Sequence, residues 1–119
     1  MKLMVCGSRT VVDVAWIFNQ IDKVISENNF TDVSIIEGEA RGVDSISALW
    51  ARRHGCEVLK YPADWALHGR KAGFIRNEQM AKDCDFCLAL WDGESHGTKN
   101  SIDHCKRYGK PCKVVIYKQ

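Results

Sequence analysis

Four short segments of the chain combine the residue types that hold phosphate groups in proteins. They are CGSR at residues 6–9, EGEARGVDS at 37–45, GFIRNEQM at 73–80 and DGESHGT at 92–98. Glycines let a backbone turn sharply and come close to a ligand, and arginines form paired hydrogen bonds with phosphate oxygens. Free backbone N–H groups at the start of a helix attract the same anions. The four segments therefore predict a site for a phosphorylated ligand.

Each of these segments also has an ordinary structural explanation. CGSR can be a plain turn between a strand and a helix, with a solvated arginine. Asp44 can compensate the dipole of a helix, which we favour for this residue alone, or accept a hydrogen bond from a ribose hydroxyl. Arg76 and Asn77 suit a phosphate or the edge of a base, but periodicity alone favours a salt bridge at the surface.

The glycines of the DGESHGT segment allow a tight loop before a helix. Thr98 and the N–H groups of residues 97–99 predict an anion site at the start of that helix, and a well-capped helix that binds nothing is the alternative. The segment is not a Walker loop, because the G-K-[ST] triplet is missing. CGSR is not the dinucleotide fingerprint either, because no second glycine follows at its spacing.

Short apolar runs alternate with helical patterns along the whole chain. The runs predict strands at residues 2–6, 33–37, 57–61, 86–91 and 113–117, and the patterns predict helices that start near residues 14, 42, 70 and 98. Such alternation is typical of an α/β domain of three layers, with helices on both faces of a parallel sheet. We therefore predict a single Rossmann-like domain with a five-stranded parallel sheet in the order 3-2-1-4-5.

This strand order gives the four segments a common location. Ligands of doubly wound sheets bind where the strand order reverses, at the carboxyl ends of the strands. Here the reversal lies between strands one and four, so the lips of the crevice are the loop from Gly7 to Arg9 and the loop from Trp91 to Gly93.

Length and composition set limits on the class of protein. The 119 residues, of which 45% are hydrophobic and 27% charged, suit one domain spanning residues 1–119. A net charge of +2, with the basic residues scattered, makes nucleic acid an unlikely partner. No apolar run approaches the roughly 18 residues of a membrane span, and no secretory signal follows Met1. We therefore predict a cytoplasmic protein without a membrane partner.

The six cysteines are predicted to be small core residues of a protein in a reducing compartment. Cys84 and Cys87 have the spacing of a redox or zinc pair, but no second pair stands at metal spacing. The four histidines share no ligand spacing with one another. We therefore predict no metal and no cofactor.

The order of the four segments resembles the SLOG superfamily of Rossmann-like nucleotide-binding domains, and within it the small YspA-type family of bacteria and phages. The resemblance covers essentially the whole chain. It implies a nucleotide or a nucleotide-derived ligand, similar to ADP-ribose or an NAD derivative, at the carboxyl ends of the strands. The candidate ligand-binding residues are Gly7, Ser8, Arg9, Gly38, Arg41, Gly42, Asp44, Arg76, Asn77, Asp92, Gly93, Gly97 and Thr98.

The superfamily also includes the LOG-type phosphoribohydrolases, whose motif is an arginine followed by a P-G-G-x-G-T-x-x-E loop. Arg76 stands at the matching distance, but the loop departs from the motif and Ser101 occupies the position of the glutamate. A serine cannot stabilise the positive charge of a departing ribose as a carboxylate would. A nucleotide hydrolase with an unknown catalytic carboxylate is therefore the alternative to a binding module.

Three further possibilities stay open at this stage. A DNA-processing accessory protein like the DprA branch of the superfamily is the weakest functional alternative. Trp65 can stack on a base from the loop before the third helix, or pack beneath that loop. Paired subunits are common in the superfamily, which leaves a homo-oligomer open.

Overall fold

The computed structural model describes residues 1–118, which form one parallel sheet with helices on both faces. The strands are β1 (Lys2–Gly7), β2 (Ser34–Glu37), β3 (Val58–Lys60), β4 (Phe86–Trp91) and β5 (Cys112–Ile116). They are hydrogen-bonded in the order β3-β2-β1-β4-β5, and every neighbouring pair is parallel. The predicted fold class and strand order are confirmed.

The helices follow the predicted alternation, with one addition and two shifted starts. They are α1 (Val14–Asn28), α2 (Val43–Arg53), α3 (Trp65–His68), α4 (Ala72–Asp83) and α5 (His96–Arg107), and a 3-10 turn at Gly69–Lys71 joins α3 to α4. The short α3 was not predicted. It begins because the Asp64 side chain accepts a hydrogen bond from Leu67 N at 3.0 Å, and it ends at Gly69, whose φ is +58°.

Alternate residues of each strand face two separate halves of the core. Leu3, Val5 and Leu88 pack with α1 and α2 on one face of the sheet. Met4, Cys87 and Ala89 pack with α4 and α5 on the other. Successive side chains of a strand point to opposite faces, so β1 and β4 contribute alternate residues to each half of the core.

Gly7 marks the place where three elements come closest together. Its register partner on β4 is Leu90. A Cβ at this position would lie 2.3 Å from the Leu90 carbonyl oxygen and 2.5 Å from Cγ2 of Val43 at the start of α2. Neither distance is tolerable, so the absence of a side chain lets β4 and α2 pack against the end of β1.

We expect Gly7→Ala to destabilise the protein by at least about 1–3 kcal/mol, because the new methyl group overpacks a backbone contact that cannot move freely. Urea denaturation measures the change. Gly97→Ala is the control, since the nearest atom to its new Cβ lies 4.0 Å away and the position is helical. An unchanged midpoint for Gly7→Ala would contradict this account of the packing.

Candidate functional site

A cleft of about 350 Å³ opens at the carboxyl ends of β1 and β4, and we call it the switch cleft. Its size lies within the range that small-molecule sites occupy. Its two lips are the loop after β1 and the loop after β4, and the inner side of α4 and α5 forms its floor. Its lining residues are Cys6, Gly7, Ser8, Arg9, Thr10, Ala40, Asp44, Arg76, Asn77, Met80, Asp92, Ser95, Gly97, Thr98 and Ser101.

Ser8 connects the two loops of the switch cleft. It is 1% exposed, its N–H donates to the Leu90 carbonyl at 3.1 Å, and its Oγ accepts from the Asp92 N–H at 3.0 Å. Both partners of Ser8 belong to β4 or to the loop that follows it. Ser8 therefore fixes the relative position of the two lips, in addition to lining the cleft.

Asp92 holds the loop after β4 in shape. Its Oδ1 accepts from the N–H groups of Glu94 and Ser95, both at 2.8 Å, and its Oδ2 accepts from the Thr10 hydroxyl at 3.2 Å. The bond from Glu94, then that from Ser95, lowers the pKa of the Asp92 carboxyl below its ordinary value. The Asp92 carboxylate is therefore favoured in its ionised form, and both of its oxygens already accept hydrogen bonds.

Asp44 fixes the loop between β2 and α2. It is 6% exposed, and its Oδ2 accepts from the N–H groups of Gly38 at 3.1 Å and Ala40 at 3.3 Å. Burial raises the pKa of this carboxyl, while the two backbone bonds and the nearby guanidinium of Arg76 act in the opposite direction. Beyond the two roles considered from the sequence, Asp44 thus organises the loop that forms one wall of the cleft.

Glu37 is a second buried carboxyl that sequence reasoning did not single out. It is 1% exposed at the end of β2, and its Oε2 accepts from the Glu39 N–H at 2.8 Å. Desolvation raises the pKa of Glu37 from 4.5 to about 6, and the bond from Glu39 only partly offsets this. The signal in the sequence was a glutamate that ends an otherwise apolar strand.

Arg76 spans the gap between α4 and the loop after β2. Its Nε donates to Asn77 Oδ1 at 2.9 Å, and one terminal nitrogen donates to the carbonyl of Gly38 and, at 3.5 Å, to that of Tyr61. Across residues 1–118, neither Arg76 nor Arg9 forms a salt bridge. Two guanidinium groups therefore border the cleft without a salt bridge among the described residues, and both act to lower the pKa of the nearby Asp44 carboxyl.

The floor of the switch cleft is made by α4 and α5. Asn77 is 8% exposed, and its Nδ2 donates to Asn100 Oδ1 at 3.2 Å and to the Gly97 carbonyl at 3.4 Å. Thr98 and Ser101 are both buried and line the same floor. The serine in place of the LOG-type glutamate therefore faces the cleft.

The predicted start of the helix after β4 is corrected, which changes the N–H groups that residues 97–99 can offer to an anion. The helix begins at His96 rather than Thr98, because Ser95 is the N-cap. Ser95 Oγ accepts the Thr98 N–H at 3.4 Å, and the Ser95 carbonyl accepts the Lys99 N–H at 3.2 Å. Of the three predicted donors, only the N–H of Gly97 is left for a ligand.

Most of the predicted site residues come together, and a few do not. Nine of the candidates line the switch cleft, while Arg41, Gly42 and Gly93 line neither it nor the neighbouring cavity. Gly42 is instead a packing position, because a Cβ there would lie 2.8 Å from the Arg9 carbonyl oxygen. The nine that line the cleft are Gly7, Ser8, Arg9, Asp44, Arg76, Asn77, Asp92, Gly97 and Thr98.

A smaller cavity of about 170 Å³ adjoins the switch cleft, and we call it the side cavity. The two share Arg9, Ala40 and Arg76, so one ligand can reach both. Gly38, the remaining candidate, lines the side cavity together with Trp65. Trp65 is 57% exposed, so its ring is not packed beneath the loop.

Comparison with known proteins decides the family. A sequence profile for the YspA, cpYpsA-related SLOG family matches residues 1–68, which is more than half of the chain. The chain belongs to the YspA, cpYpsA-related SLOG family. It is also 32% identical over 116 residues to the gene 61 protein of Mycobacterium phage D29, with 92% of each protein covered. The resemblance inferred from the four segments is confirmed.

Two solved structures share the fold of this SLOG chain. DNA processing protein A from Streptococcus pneumoniae matches with a TM-score of 0.73 at 17% identity, over 98% of this chain and 50% of that protein. The Helicobacter pylori protein, known for its mode of binding single-stranded DNA, matches with a TM-score of 0.68 at 18% identity, over 99% and 66%. The chain thus spans half to two thirds of these proteins, and at such identities the likeness concerns the fold.

None of the helices in residues 1–118 has the length and apolar character needed to cross a bilayer.

The raised pKa of Glu37 predicts a specific pH dependence of stability. An ionised carboxylate at this buried position costs free energy above pH 6, and the cost disappears as the pH falls below 4.5, where the group is protonated in both states. Glu37→Gln should therefore stabilise the protein relative to wild type by up to about 2 kcal/mol above pH 6. That advantage should shrink toward pH 4.5.

Urea denaturation of both proteins between pH 4.5 and 8 measures this difference. The exposed Glu57, replaced by glutamine in the same way, is the matched control. A difference between Glu37→Gln and wild type that stays constant with pH would contradict the assignment.

Proposed function

We propose that the protein binds a nucleotide or a nucleotide-derived ligand, such as ADP-ribose or an NAD derivative, in the switch cleft. The observation that carries this proposal is the pair of guanidinium groups of Arg9 and Arg76 on one cleft, without a salt bridge to either in residues 1–118. Such groups favour phosphate oxygens, with which arginine forms paired, charge-assisted hydrogen bonds. Membership of the SLOG family supports the same class of ligand.

The phosphate end of the ligand belongs in the switch cleft. Arg76 is partly immobilised by its bonds to Asn77 and to backbone carbonyls, so less side-chain entropy is lost when it meets an anion. The hydroxyls of Thr98 and Ser101 and the N–H of Gly97 supply further polar groups on the floor. A largely pre-formed site with a few convergent polar groups is typical of small-molecule binding.

The base of the ligand belongs in the side cavity. This cavity continues from the switch cleft across Arg76, and the exposed ring of Trp65 forms part of its wall. A large exposed aromatic ring next to a guanidinium offers a flat surface on which a base can stack. The carboxylate of Glu39, in the same wall, can accept a hydrogen bond from a ribose hydroxyl or an exocyclic amine.

The serine at position 101 favours binding over hydrolysis of the LOG type. Cleavage of an N-glycosidic bond needs a carboxylate directed at the ribose, and Ser101 stands where the LOG-type enzymes have theirs. The two carboxylates that line the cleft, Asp44 and Asp92, already accept backbone N–H groups that shape the loops. Both oxygens of Asp92 are engaged, whereas both bonds of Asp44 fall on Oδ2, so Oδ1 of Asp44 is left to accept a hydrogen bond from a ribose hydroxyl.

Replacement of Arg76 by alanine should weaken nucleotide binding by about 1.5–3 kcal/mol, because a charge-assisted hydrogen bond to phosphate is lost. Isothermal titration calorimetry with ADP-ribose, ADP and NAD measures the change. Arg52→Ala is the matched control, since Arg52 is an exposed arginine that lines neither cavity. Arg76→Lys, which retains the charge but not the paired donors, should give an intermediate affinity.

Three results would contradict the proposed function. Unchanged affinity of Arg76→Ala in a correctly folded protein would remove Arg76 from the site. Release of free base or ribose phosphate, detected by mass spectrometry after incubation with the nucleotides, would show a hydrolase instead. A salt-sensitive affinity for single-stranded oligonucleotides without nucleotide binding would point to DNA processing.

The position of the base is tested at Trp65. Trp65→Ala should reduce affinity for ADP-ribose by about 1–3 kcal/mol through lost stacking, whereas Trp65→Phe retains most of it. Ribose 5-phosphate, which has no base, should bind all three proteins equally. Leu67→Ala is the control, because Leu67 is a 72% exposed side chain on the same short helix. An equal loss for ribose 5-phosphate would mean that Trp65 acts on the phosphate end or on the fold.

A further inference from the structure

Five of the six cysteines gather in the half of the core between the sheet and helices α4 and α5. They come from distant parts of the sequence and are Cys6, Cys84, Cys87, Cys105 and Cys112. The Sγ atoms of three of them, Cys87, Cys105 and Cys112, all lie within 4.8 Å of one another. We call these three residues the thiol cluster. The sixth cysteine, Cys56, packs on the opposite face of the sheet.

Three different elements supply the thiol cluster, so the fold itself brings the sulfur atoms together. Cys87 lies on β4, Cys105 on α5 and Cys112 on β5, and the parallel register makes Cys87 and Cys112 direct neighbours on adjacent strands. Cys84, in the short connection before β4, is buried in the same half of the core, and its thiol donates to the Ala81 carbonyl at 3.5 Å. Three thiols thus meet near the amino end of β4, and a fourth lies in the same half of the core.

We propose that the thiol cluster, with Cys84 as the fourth ligand, binds a single zinc ion. Zinc bound by cysteine is tetrahedral with Zn–S distances of about 2.3 Å, which sets neighbouring sulfurs roughly 3.8 Å apart. The three sulfurs of the cluster, already within 4.8 Å of one another, need only small side-chain movements to reach that spacing. Cys84 would become the fourth ligand by turning its thiol from the Ala81 carbonyl toward the ion. Binding releases the thiol protons to solvent, since the thiolate is the ligand.

The surroundings of the thiol cluster suit a structural ion. Met80, Ala81 and Ile102 pack around the thiols and keep water away from them. Cys112 is only half-buried at the edge strand β5, which gives an ion a way in. The ammonium of Lys110 is held at 2.6 Å from the Cys84 carbonyl and 3.0 Å from that of Lys82, so a positive charge stands close to the negative tetrathiolate.

Simple packing is the competing explanation, because a buried cysteine also serves as a small apolar side chain. That explanation accounts for each residue separately but not for the convergence of three thiols from three elements to within 4.8 Å of one another. The C-x2-C spacing of Cys84 and Cys87 is that of a zinc pair, and Cys105 and Cys112 are the second pair that the sequence alone did not reveal.

The test uses the wild-type protein purified from zinc-supplemented medium without a chelator. Elemental analysis should find about one zinc per chain, and removal of zinc by a strong chelator should lower the melting temperature. Titration of the metal-free protein with Co²⁺ should give the intense visible absorption of a tetrahedral thiolate site. Cys112→Ser should lose most of the zinc, and Cys56→Ser, the matched control, should retain it.

Three results would overturn the proposal. The first is wild-type protein that holds no zinc above background and binds neither Zn²⁺ nor Co²⁺. The second is iron with inorganic sulfide in place of zinc. The third is a Cys56→Ser variant that loses zinc as fully as Cys112→Ser. The readout is the metal content, so it is independent of whether the switch cleft binds a nucleotide.

Discussion

The close approach of β1, β4 and α2 at Gly7 is the constraint on which the rest of the site depends. With no side chain at Gly7, the Leu90 carbonyl and Val43 reach distances that any Cβ would forbid. This contact sets the carboxyl ends of β1 and β4 side by side, and Ser8 then bonds to both Leu90 and Asp92 across the junction. The switch cleft exists because the strand order reverses here, and its lips are close together because glycine permits it.

Charge and burial act in opposite directions on the acidic groups around this junction. Asp92 is well supplied with backbone N–H donors and keeps a lowered pKa, whereas Asp44 and Glu37 are buried and have raised pKa values despite similar bonds. The buried carboxyls cost free energy that their bonds only partly offset. The same bonds hold the loop after β2 in place beside Arg76. The guanidinium of Arg76 is therefore positioned at the cleft before a ligand binds.

The sequence allowed the fold to be predicted well because its evidence is local. Strand and helix periods, the Asp13 cap of α1 and the alternation of elements each depend on residues close together in the chain, and the SLOG-type segments added the family. The features that the sequence did not reveal depend on contacts between distant residues, or on a choice between two similar N-cap residues. Ser95 and Thr98 are both good N-caps, and only the structure shows that Ser95 is used. Three further features have no signature in the spacing of the sequence. They are the bonds of Asp44 to its loop, the packing of Gly42 against the Arg9 carbonyl and the convergence of Cys105 with Cys87.

The switch cleft and the thiol cluster are joined physically through Cys6. Its thiol lies 3.8 Å from that of Cys87, and Cys6 also lines the cleft. An ion on β4, α5 and β5 would tie together the elements that carry Asp92 and Thr98, so it would stiffen two sides of the proposed ligand site without touching a ligand there. Binding costs less when the site is already ordered, because fewer side chains and loops lose freedom as the ligand enters. A metal at the amino end of β4 would thus favour ligand binding at the carboxyl end only by making the site more rigid. The metal and the ligand need not contact each other or share a residue.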